Sequence, residues 1–131
     1  MYVQCRDRRS QRSPDARAAL QLQLEHVARI VEFDAVVLAD DLGRPIVAAG
    51  DPEMSSWLAD AAMWCDMYGA SGDPLLRERV EALEGDERAM YTAQCAVGGN
   101  GLLHLLALGR SAVGDIALLH AARGVERICA A

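Results

Sequence analysis

Apolar residues along this chain switch between the spacing of helices and the spacing of strands. Leu20, Leu24, Val27, Ala28 and Val31 recur at i, i+4, i+7 and i+8, which places them on one face of a helix. Ser13-Pro14-Asp15 predicts its start, with a capping hydroxyl, a proline at the first position and an acid in the first turn. Glu25 and Arg29 fall on the opposite side. Leu22 is apolar but off the stripe, which makes it a candidate for a subunit interface.

The clearest pattern follows. Ala35–Ala39 is a short apolar strand, Asp40-Asp41-Leu42-Gly43 a turn, and Arg44–Ala49 the return strand. Gly43 suits a positive φ. Pro45 donates no N–H and so belongs at a strand start or on an edge. Gly50-Asp51-Pro52 then ends the strand and opens a helix, with Asp51 as its cap.

That helix is predicted to run from Pro52 to Tyr68. It carries Trp57 and Trp64, seven residues apart on one face, near Met54, Met63 and Met67. The ordinary reading is core against a sheet. The alternative is an aromatic contact surface, because tryptophan is enriched where partners bind. Gly69 to Pro74 breaks the helix; the charges and leucines of 75–88 fit a short helix or an edge strand, and a short third strand near 79–84 is the favoured reading. Met90–Val97 and Leu102–Leu108 form a second hairpin around Gly98-Gly99-Asn100-Gly101. Leu102, Leu103, Leu105, Leu106 and Leu108 put apolar groups on both faces of their strand. Such a strand is central, covered by helices or by a second subunit. A last helix is predicted from Ala112 to Cys129, with Val113, Ile116, Ala117, His120, Ala121, Gly124 and Ile128 as one stripe and Leu118 and Val125 toward another side.

These elements define an α+β fold in the order α-β-β-α-β-β-β-α, with one central antiparallel sheet of about five strands packed by helices. Residues 13–131 are read as a single domain, preceded by a flexible basic N-terminal arm at 1–12.

Charge sharpens this division. Residues 1–17 carry five arginines against Asp7 and Asp15, a net of +3, whereas the remainder carries a net of −9. An acidic body repels phosphates and argues against nucleic acid. All 13 basic residues are arginine, so there is no lysine for a phosphate-binding loop or a Schiff base. No run reaches the ~20 apolar residues of a membrane helix, and no apolar segment of a signal peptide follows the first charges. A cytoplasmic location is expected. Cys5, Cys65, Cys95 and Cys129 form no C-x-x-C pair and are read as reduced thiols.

No constellation of catalytic residues stands out in the sequence. His26, His104 and His120 each lack a metal-type partner at i+3 or i+4. No G-x-S-x-G elbow is present. The glycine-rich stretch 98–101 joins two strands, whereas a phosphate cradle joins a strand to a helix. Asp40, Asp41, Asp51 and Glu53 form an acidic group, but turn formation, capping and the helix dipole account for each of them. No cofactor or metal is expected.

The hairpin AVVLADDLGRPIVAAG at 35–50, with Gly43-Arg44-Pro45-Ile46 at its turn and a helix after it, resembles the roadblock/LC7 family. The second hairpin and closing helix agree, so the resemblance spans about residues 14–130. It implies a non-enzymatic scaffold that is a homodimer or a heterodimer with a paralogue and often acts on small Ras-like GTPases. Family dimers pair through sheet edges and a helix. That makes Leu22, Trp57, Trp64, Leu102, His104 and Leu106 the interface candidates. The order also resembles the GAF-type sensor fold, in which MYTAQCAVGGNGLLHLLALG at 90–109 would fit. That alternative implies a small-ligand sensor or regulatory domain, but the short region before the last strands leaves little wall for a ligand.

Overall fold

The computed structural model describes residues 4–40, 42–68, 89–97 and 101–130. They form α1 (Gln4–Val31), β1 (Ala35–Ala39), β2 (Pro45–Gly50), α2 (Pro52–Tyr68), β3 (Ala89–Ala96), β4 (Leu102–Gly109) and α3 (Gly114–Ala130). The expected strand at 79–84 lies outside the described residues, which hold a four-stranded sheet in the order β2-β1-β4-β3. All pairings are antiparallel.

α1 begins well before the expected cap at Ser13, so residues 4–12, read as an arm, continue the helix. Arginine and glutamine in this stretch are good helix formers. The helix ends with Glu32 at φ 58° and a bond from Phe33 N to Ala28 O at 3.0 Å. This is the six-to-one closure of a Schellman motif, with a glutamate in the left-handed position that glycine usually takes.

The first hairpin follows the expected pattern. Asp40 Oδ1 accepts bonds from Leu42 N and Arg44 N, both at 2.9 Å, and Gly43 has φ 79°. Pro45 opens β2, which among the described residues is an edge strand. Asp51 Oδ1 accepts from Glu53 N at 2.9 Å and Met54 N at 3.1 Å, capping α2.

β1 is wholly buried, and β4 is buried from His104 to Gly109. The two-residue period of these strands divides the core in two. On one face Val36, Leu38, Leu105, Ala107, Tyr91 and Cys95 meet Leu20, Leu24 and Val27 of α1 and Leu118, Ala121, Ala122 and Val125 of α3. On the other, Ala35, Val37, Ala39, Leu106 and Leu108 meet Leu58, Ala59 and Ala61 of α2. The sheet therefore lies between an α1–α3 layer and α2. The apolar faces of β4 are covered by helices of the same chain, which resolves the choice between helices and a second subunit. Each leucine so buried contributes about 1.5–3 kcal/mol.

The stripe expected on α3 is displaced. Leu118, Ala121, Ala122, Gly124 and Val125 are buried, whereas Val113, Ile116 and Leu119 are exposed. The helix carries apolar residues on most sides, so spacing alone does not select the inward face.

Candidate functional site

Because α3 turns Leu118 and Val125 to the sheet, its other apolar side chains remain outside. Ile116 is 73% exposed, and Ile30 on neighbouring α1 is 67% exposed. With Val31, Val113, His26 and His120 they line a groove of about 410 Å³ between the two helices. The groove continues into a more polar recess of about 630 Å³ bordered by Glu32, Asp34, Arg110 and Ser111. A third depression of about 420 Å³ lies between β2 and α2, lined by Pro45, Ala48, Ser55 and Ala59.

The interface candidates separate into different surroundings. Leu22 is 66% exposed on α1, and Leu102 is 42% exposed at the start of β4. Trp57 is half-buried and packs against the α2-side core. The side chain of Trp64 lies outside the described residues. His104 and Leu106 are buried on the α2 side of β4, with Leu106 opposite Val37 and His104 opposite Ala39 of β1. A partner would reach these two only by displacing the chain's own packing. Ile30, Val113, Ile116 and Leu119 were absent from the sequence-based candidates. The signal that could have found those on or beside α3 is its surplus of apolar residues beyond one face; Ile30 lies on α1, off its buried stripe.

The titratable groups have structural duties. Partial burial pulls the Asp40 carboxyl up, but the Arg44 N–H, the Arg44 guanidinium and the Leu42 N–H together hold it below its ordinary range. Its Oδ2 lies 2.7 Å from Arg44 Nε. Asp41, the other acid of this turn, is outside the described residues. Burial, reinforced by the charge of Glu126, pushes the Cys95 thiol up to about 12, so it remains protonated at neutral pH. Among the described residues, no three His, Cys, Asp or Glu side chains come together to hold a metal. No helix among them is long and apolar enough to cross a membrane.

The outer strands of the described sheet, β2 and β3, carry more distinctive contacts. Gln21 Nε2 of α1 donates to Ala48 O of β2 at 2.8 Å. On α3, Arg123 donates to Gln94 O of β3 at 3.2 Å, and Glu126 Oε2 accepts from Ala96 N at 2.7 Å. Arg123 and Glu126 are themselves paired at 2.9 Å.

A helical pair on one face of an antiparallel sheet and a single helix on the other, in this order, make a roadblock/LC7-like fold. A solved structure of Myxococcus xanthus MglB superimposes on the chain with a TM-score of 0.51. The match covers 86% of this chain and 88% of MglB, at 15% identity. No family model matches the sequence. No curated protein is similar to it in sequence.

Proposed function

We propose that this protein is a non-enzymatic dimerising adaptor or regulatory scaffold of the roadblock type, acting on a small Ras-like GTPase. The observation that carries this reading is the roadblock-like fold, shared along most of both chains with MglB. Ile30, Val113 and Ile116, exposed together along the groove between α1 and α3, support it, because contiguous apolar surface suits a protein partner; Leu22 and Leu119 are exposed on the same two helices. Leu102, Trp57 and Trp64 remain candidate contacts at the sheet and on α2. The second subunit is another copy of the chain or a paralogue. The acidic body disfavours nucleic acid as a partner.

A small-ligand sensor of the GAF type is the weaker reading, because the recesses on the described residues are surface grooves between elements. The adaptor reading is tested by passing small Ras-like GTPases, loaded with GDP or a non-hydrolysable GTP analogue, over the immobilised chain. Retention in at least one nucleotide state is expected. Loss of every GTPase in both states would overturn the GTPase assignment.

A further inference from the structure

The groove between α1 and α3 is lined by matched rows of side chains. Gln23, His26 and Ile30 come from α1, and Val113, Ile116 and His120 from the α3 side, each row at i, i+3 and i+7. The groove therefore follows about two turns of each helix. The helices run antiparallel, since Ile30 lines the groove beside Val113 while Gln23 lies against Gly124. Ile30, Val113, Ile116 and the adjoining Leu119 are each more than half exposed.

Charge changes sign along this layer. Where α1 ends and α3 begins, Glu32, Asp34 and Asp115 stand against Arg29 and Arg110, a net of −1 among the described residues. The two helix ends that meet there have opposite polarity, so their dipoles largely offset and the side chains set the sign. At the far end α3 carries Arg123 and Arg127 against Glu126, a net of +1. The part of α1 at that end, residues 4–17, carries five arginines against Asp7 and Asp15, a net of +3.

We propose that this face pairs with the same face of a second copy of the chain, with the two α3 helices antiparallel and Ile116 close to the two-fold axis. A two-fold contact requires a surface complementary to itself. A half-turn about Ile116 lays the apolar groups of one copy on those of the other. Arg123 lies seven residues, about 10 Å, beyond Ile116. The recess of Glu32 and Asp34 is reached in the other direction, past Val113 and Ser111, three and five residues before Ile116. The half-turn therefore carries the basic end of each copy to the acidic end of its partner. A parallel arrangement would set like charges together. The contact so formed is apolar at its centre and charged at its rim. This inference rests on the dimerising reading and names the face that serves it.

The test uses the full chain with Cys5→Ser, Cys65→Ser and Cys129→Ser, into which either Ile116→Cys or Leu102→Cys is placed. Ile116 is 73% exposed, so cysteine there removes little packing. A short bismaleimide joins two thiols only where they lie close together. Sedimentation velocity reports the mass before linking, and denaturing electrophoresis reports the linked product. Ile116→Cys is expected to give a covalent dimer, whereas Leu102→Cys, at the start of β4, and the background chain are not. Glu32→Arg, which sets arginine against the partner's basic end, is expected to raise the dissociation constant about threefold or more. A chain that sediments as a dimer but does not link at position 116 would overturn this face, leave the dimerising reading standing and give the groove to another occupant. Unchanged association of Glu32→Arg would overturn the antiparallel match of charges. A single chain mass at every concentration would overturn both this inference and a homodimer.

Discussion

Gly114, at the first turn of α3, lies directly against the ring of Tyr91: a Cβ at this position would be 2.5 Å from Tyr91 Cζ. The ring cannot easily withdraw. Its hydroxyl donates to Ser111 O at 2.6 Å, and its face meets Phe33 with centroids 5.5 Å apart. Gly124, further along the same helix, meets only the end of Gln23, a flexible side chain. Gly114→Ala is therefore expected to destabilise by about 1–3 kcal/mol, the usual cost of overpacking, and Gly124→Ala to stay within about 1 kcal/mol of wild type. Urea denaturation of the two variants measures the contrast.

Glu32 closes α1 in the left-handed region at φ 58°. Its side chain is exposed, so little packing is lost on removal. Glu32→Gly is expected to raise the unfolding free energy by about 0.5–1 kcal/mol, because the left-handed cap no longer strains a Cβ. Thermal unfolding of this variant checks the direction.

Asp40 organises the first hairpin through bonds to Leu42 N and Arg44 N. Its folded carboxyl titrates below its ordinary 3.8, so the charged form is favoured in the native state. The stability it contributes is present above the unfolded value and is lost as pH falls through the folded one. Asp40→Asn retains an acceptor but cannot titrate. Wild type should therefore lose its stability advantage over Asp40→Asn on acidification below about pH 4, as measured by denaturation across pH.

The two described cysteine side chains differ in access. Cys95 is buried and Cys129 exposed. With its thiol pushed up to about 12, Cys95 has little nucleophilic thiolate at neutral pH. Iodoacetamide at pH 7.5 is expected to modify Cys129 well before Cys95, as read by peptide mass mapping of the native protein.

What the sequence disclosed depended on whether a signal was local. The turn at Asp40, the edge position of Pro45 and the cap at Asp51 answer to backbone requirements within a few residues, and all three appear as expected. The doubly apolar strand expected at 102–108 was also legible as central. Its cover was not, because periodicity shows that a face is buried without naming its neighbour. For that reason His104 and Leu106 could be candidates for an interface while lying under the α2 side of the fold. On α3, apolar residues on several sides concealed which face turns inward and which carries Ile116 outward. The contacts of Arg123 and Glu126 with β3 join positions about thirty residues apart, and no spacing rule connects such pairs.

Dimerisation is the central claim, and sedimentation equilibrium of the full chain over a wide concentration range tests it most directly. The account predicts a species of twice the chain mass, weakened by Ile116→Glu or Leu22→Glu without loss of folded structure. A single chain mass at every accessible concentration would contradict a homodimer, and, if it persisted with each paralogue added, would contradict a dimerising adaptor altogether.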